Sequence, residues 1–204
     1  LSDPALTIFR DPPERVRGWH HRRRRNDVLF NSESVGFHGT SRLAMGRILK
    51  REIIRSDQNF EWLGTGFYVW QDSPWLARQW ARMRHSELAA VVAVRIDLDG
   101  CLDLFNPRWQ WELLQTDADL VAAYLAEGRA VPVNRGAGFR ARDCETINRF
   151  CEEAEASGLP MRSVRAIFEE GEAIFEASAI RTRSHVQVAV RDLSTILELE
   201  EIDQ

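Results

Sequence analysis

The chain has 204 residues, 44% hydrophobic and 28% charged, which suits one ordinary globular domain of ample size and excludes a disordered one. A net charge of −4 and a pI near 5.8 argue against a dedicated nucleic-acid binder. No apolar run approaches the roughly 20 residues needed to span a bilayer, the polar start Leu1-Ser2-Asp3-Pro4 is no signal peptide, and Cys101, Cys144 and Cys151 show no metal or disulfide spacing, so the expectation is a cytoplasmic protein with no membrane contact, no metal and reduced thiols.

Residues 1–31 read as a variable N-terminal arm, interrupted by Pro12-Pro13 and Gly18. Within it, His20-His21-Arg22-Arg23-Arg24-Arg25 concentrates positive charge. Its first reading is a solvated turn in an arginine-biased chain whose only lysine is Lys50, and its second is contact with phosphates of a nucleic acid or nucleotide. Residues 32–204 read as a single domain. Val35 to His38 is a buried strand, and Ser41 caps a helix from Arg42 to Arg51 with Leu43, Ile48 and Leu49 inward. Phe60 to Leu63 leads into a glycine turn and the strand Gly66 to Trp70. Asp72-Ser73-Pro74 then starts a helix, Trp75 to about His85, with Leu76, Trp80 and Met83 on one face. Ala89 to Leu98 is an apolar strand ended by Asp99-Gly100.

Asn106-Pro107 opens a helical region to Glu127, continuous or split near Thr116-Asp117, and Gly136-Ala137-Gly138 links it to a helix from Arg142 to Ser157. These helices form an insertion over about 104–158. Strands follow at Val164 to Phe168, Ala173 to Phe175 and Ser184 to Arg191. The order predicts an α+β domain whose mixed sheet is split around a cleft.

Two segments carry the chemistry. In Gly36-Phe37-His38-Gly39-Thr40-Ser41 and Leu63-Gly64-Thr65-Gly66-Phe67-Tyr68-Val69, a histidine and a tyrosine sit on short apolar strands beside glycines. Imidazole can hydrogen-bond a ribose hydroxyl, a glycine backbone can approach a flat amide, and a tyrosine ring can stack on a heteroaromatic base. The alternative for a single histidine is a satisfied structural role. From Gly36 to Trp80 the chain resembles the NAD-binding core of ADP-ribosyltransferases of the diphtheria-toxin and poly(ADP-ribose) polymerase group, in which a third strand supplies a glutamate. The resemblance implies an ADP-ribosyltransferase-type split sheet with NAD as co-substrate. It further implies that His38 holds the adenosine-side ribose, Gly39 grips the carboxamide and Tyr68 stacks on nicotinamide, with Thr40, Ser41 and Gly66 beside them and Trp80 near a second aromatic wall.

The third strand falls in Ser184-His185-Val186-Gln187-Val188-Ala189-Val190-Arg191-Asp192, where Gln187 occupies the place of the family's glutamate. Glutamine keeps a hydrogen bond without the charge. The charge is then absent, or comes from Glu170 or Glu172 in the acidic turn before the strand, or the domain only binds. His185 reads equally as a second hydrogen-bonding group beside Gln187 and as a buried partner. The resemblance implies an NAD-dependent mono-ADP-ribosyltransferase, with a toxin or effector role by analogy. It would act on a macromolecular acceptor, protein or nucleic acid, and an antitoxin or immunity protein is the kind of neutralising partner that a toxin role would bring with it. An RNA 2′-phosphotransferase, an NAD glycohydrolase and a catalytically inactive NAD- or ADP-ribose-binding module are the alternatives. A serine, cysteine or metal hydrolase is disfavoured, because the sequence offers no nucleophile elbow and no ligand cluster.

Overall fold

The computed structural model describes residues 32–202 except Ala137, so the N-terminal arm with Arg22 to Arg25 lies outside the described residues. Among those described, four α-helices accompany a seven-stranded, mostly antiparallel mixed sheet. In chain order the strands are β1 (Glu33–Ser41), β2 (Phe67–Gln71), β3 (Ala89–Asp97), β4 (Cys101–Asp103), the two-residue β5 (Asn134–Arg135) and β6 (Phe139–Arg140), β7 (Ser163–Phe168), β8 (His185–Val190) and β9 (Ile196–Ile202). The helices are α1 (Arg42–Ile48), α2 (Pro74–His85), α3 (Pro107–Ala126) and α4 (Ala141–Ala156). The sheet order is β4-β7-β8-β2-β1-β3-β9, and β4 with β7 is its parallel pair.

This sheet is two well-paired halves joined by a short seam. β1 pairs with β3 from Glu33↔Asp97 to Ser41↔Ala89, and β2 pairs with β8 from Phe67↔Val190 to Gln71↔Val186. β1 and β2 meet only at Gly36↔Gln71 and Phe37↔Trp70. Beyond Phe37 the two halves diverge, and the opening becomes the floor of a cavity.

Strand alternation sorts apolar side chains to two cores. Val92, Val94 and Ile96 of β3, Phe67 and Val69 of β2, and Val188 and Val190 of β8 lie on one face, covered by Met45 and Ile48 of α1. On the other face Val164 and Ala189 meet Leu63, Leu102, and Ile147 and Cys151 of α4. Helix α2 crosses β1 and β3 with fully buried Ala77 and Ala81. Its approach explains Gly39: a Cβ there would lie 2.1 Å from the Ala77 carbonyl oxygen. Likewise a Cβ on Gly36 would strike Val69, and one on Gly66 would strike Ala189. These strand glycines are required by the protein packing against itself.

Several expectations are corrected. The first helix stops at Ile48 instead of Arg51, because Arg51 takes a φ of 64° and its guanidinium donates to the carbonyls of Ile196 and Leu197 (2.9 and 3.1 Å). Leu43 points outward, and Met45 takes the inward position. Along α2, Ala77 and Ala81 join Leu76 in the core, while Met83 and Trp75 are exposed. Of the two readings of the next helical region, the continuous one holds: α3 runs unbroken through Thr116-Asp117. Ala173 to Phe175 forms no strand: a single bridge, Ala173↔Arg181, closes a segment whose Ile174, Phe175 and Ile180 are exposed, without the sheet partner that would bury them. β4 and β9 escaped the sequence reading. β4 is three residues long, and β9 reads as an acidic run because it is an edge strand, tied on through Arg95, which bridges Glu33 and Glu198 (2.9 and 3.0 Å).

Candidate functional site

A cavity of about 810 Å³ opens where β1 and β2 part. It gathers His38 and Gly39 from β1, Gly66 and Tyr68 at β2, Trp80 from α2 and Gln187 from β8. Six of the nine residues anticipated from sequence thus converge on one space. The other three lie beside it. Thr40 is buried next to a smaller cavity that it shares with His38, Ser41 caps α1 by accepting from the Ala44 N–H (3.3 Å), and His185 stands behind Gln187.

The geometry of the opening follows from the ladder. The Asp72 N–H donates to the Val35 carbonyl (3.0 Å), so alternation aims the backbone groups of Val35, Phe37 and Gly39 toward β2. Gly39 would next pair with Tyr68, but the ladder has ended. Instead, His38 Nδ1 lies 2.8 Å from the Tyr68 carbonyl oxygen. A carbonyl only accepts, so Nδ1 carries the proton and Nε2 keeps its lone pair. The imidazole replaces the Gly39 N–H as donor, leaving the Gly39 N–H and C=O facing the cavity. Burial lowers the His38 pKa, against the opposing pull of the Tyr68 carbonyl, and keeps the ring neutral over Phe67, 4.3 Å between centroids.

Tyr68 is fixed at its far end. Its hydroxyl accepts from the Leu63 N–H (2.9 Å) and donates to the Gly64 carbonyl (2.7 Å), which folds the glycine turn back over the ring. Burial pushes its pKa well above that of an ordinary phenol. The turn is clamped from α4: Asn148 Oδ1 accepts from the Thr65 N–H (2.9 Å) and from Arg191 (2.8 Å), and Gly64 takes a φ of 74° against it. The helical insertion therefore positions the cavity wall, a role that sequence reading did not give Asn148. Trp80 faces Trp70 across 6.0 Å, and Arg84 lies 5.4 Å from the Trp80 ring centre.

Four charged groups line the same space: Glu61 and Glu170, Arg82 and Arg183. Glu61 had no sequence signal. It precedes Trp62 in the lead to β2, where the Ser56 hydroxyl donates to its carboxylate. Of the two candidate glutamates in the acidic turn before β8, Glu170 lines the cavity, whereas Glu172 does not. Arg82 and Arg183 make no ion pair among the described residues. Among those residues no cluster of His, Cys, Asp or Glu can hold a metal ion, and no helix is long and apolar enough to cross a membrane. Burial pushes the Cys101 and Cys151 thiols up to about 11, which leaves them protonated and poor nucleophiles at neutral pH.

No protein-family model matches the chain, and no curated protein and no solved structure matches it either.

Proposed function

We propose that this domain binds NAD in the β1–β2 opening and transfers its ADP-ribose to a nucleophile on a macromolecule. The observation that supports this most is the backbone edge of Gly39, a donor and an acceptor side by side that the β1–β2 ladder does not reach, in a cavity walled by Tyr68 and Trp80. Such an edge complements a primary carboxamide, and the aromatic rings complement the pyridine that bears it. His38 Nε2 accepts from a ribose hydroxyl, and the exposed guanidiniums of Arg82 and Arg183 take the pyrophosphate. The volume lies within the range of small-molecule sites, about 300–1,000 Å³.

When NAD is bound, its glycosidic bond supplies the reaction: the electron pair leaves with nicotinamide, and the acceptor's nucleophile bonds to the ribose carbon as its proton passes to solvent. Gln187 accepts a hydrogen bond from the nicotinamide ribose. Glu170 and Glu61 are the carboxylates in the same cavity available to oppose positive charge on the sugar. The reading is tested by incubating the protein with NAD labelled on the adenylate, alone and with fractionated cell extract. Labelled macromolecule together with free nicotinamide supports transfer. Nicotinamide release without labelling replaces transfer by glycohydrolysis, binding without release leaves a binding module, and no binding overturns the proposal.

A further inference from the structure

His185 forms two hydrogen bonds that together leave little freedom. Its Nδ1 lies 2.7 Å from the Arg183 carbonyl oxygen, and its Nε2 lies 2.9 Å from Gln187 Nε2. The carbonyl requires a proton on Nδ1, and the amide nitrogen, a donor only, requires a lone pair on Nε2. The ring is buried under Phe168, with centroids 5.6 Å apart, so it cannot turn to exchange its nitrogens without losing both bonds. Gln187 spends an N–H on His185, and its amide oxygen is the end left for the cavity.

We infer that His185 is a positioning residue, which through this bond holds the Gln187 side chain with its oxygen toward the ligand. The catalytic consequence rests on the proposed NAD reading, whereas the hydrogen-bond assignment does not. An amide is nearly symmetric in shape, so nothing steric stops it from flipping. Its ends are electrically opposite: the oxygen accepts from a ribose hydroxyl and lowers the energy of a sugar becoming positive, and the NH2 does neither. A carboxylate needs no such control, because both of its oxygens accept. A glutamine at this point therefore needs an orienting partner that a glutamate would not, and His185, two residues earlier on the same face of β8, supplies it.

Two measurements on the full chain test this. In protein labelled with nitrogen-15 histidine, His185, assigned by its loss in His185→Phe, is expected to show a protonated Nδ1 and a bare Nε2 at neutral pH; the opposite tautomer overturns the inference. The second is a cycle read by nicotinamide release from NAD. His185→Phe keeps an aromatic ring against Phe168 and is expected to slow turnover about tenfold or more, but less than about threefold when Gln187→Glu is also present. Equal losses in both backgrounds make His185 merely structural and overturn its positioning role. A wild-type protein that never cleaves NAD overturns the catalytic consequence together with the proposed transfer. The nitrogen spectrum distinguishes that failure from a failure of the His185–Gln187 bond, because it needs no substrate.

Discussion

The β1 and β8 walls of the cavity each carry a histidine anchored in the same way. His38 and His185 both present Nδ1 to a backbone carbonyl, of Tyr68 at 2.8 Å and of Arg183 at 2.7 Å, and both lie against a phenylalanine ring. They differ at the far nitrogen. Nε2 of His38 has no protein partner among the described residues and belongs to a cavity-lining side chain, while Nε2 of His185 is taken by Gln187. One imidazole is thus available to a ligand, and the other acts through a neighbour. The anchor fixes the tautomer in both; what the second nitrogen meets decides the role.

The largest expected effect falls on the β8 wall. Gln187→Ala removes the one side chain that β8 sends into the cavity and should abolish ADP-ribosyl transfer, while Gln187→Glu should retain or raise NAD cleavage, because a carboxylate adds charge worth about a few kcal/mol in a dry site. The competing assignment puts the essential charge on a loop glutamate. It predicts that Glu170→Ala is more damaging than Gln187→Ala, and because Glu172 lies outside the cavity, Glu172→Ala should match wild type under either assignment. Full activity in Gln187→Ala would remove the β8 wall from the site.

On the β1–β2 wall the effects are smaller and fall on binding. His38→Ala should cost about 1–3 kcal/mol of NAD affinity through a lost hydrogen bond, and Tyr68→Ala a similar amount through a lost stacking face. Tyr68→Phe separates stacking from scaffolding. It keeps the ring but strands the Leu63 N–H and Gly64 carbonyl, so chemical denaturation should show about 1–3 kcal/mol of lost stability with NAD affinity little changed. Titration calorimetry that finds unaltered affinity in a folded double variant of His38 and Tyr68 would sink the site.

The two walls also differ in what the sequence discloses. His38, Gly39, Gly66 and Tyr68 lie within two short segments whose spacing is local, and strand alternation with glycine punctuation was enough to bring them together. The same glycines mislead about cause: they admit Ala77 and Ala189 of the protein itself. On β8 the alternation put His185 and Gln187 on one face, but their mutual bond depends on the carbonyl of Arg183, at the end of a loop whose closure no local pattern encodes. Glu61 and Asn148 were illegible for a related reason. Each acts across the fold, Asn148 from a helix 83 residues away from the Thr65 N–H it receives. The edge strand β9 was hidden by its own solvent-facing glutamates.

The smallest effect tests the neutrality of His38. Burial holds its folded pKa below the unfolded reference of about 6.5. Between those two values the unfolded chain binds a proton that the folded one refuses, so stability rises with pH across the window and is lost as pH falls below about 6.5. One proton limits the slope to about 1.4 kcal/mol per pH unit. His38→Asn keeps an N–H donor for the Tyr68 carbonyl and cannot titrate in this range. The difference in unfolding free energy between wild type and this variant, followed by denaturant titration from about pH 7 to pH 5, should shift against wild type as the solution is acidified. Taking the difference cancels the pH dependence that the two proteins share. Parallel curves would mean that the His38 ring accepts a proton in the folded state, and its Nε2 would then be a donor instead of the acceptor that the proposed ribose contact requires.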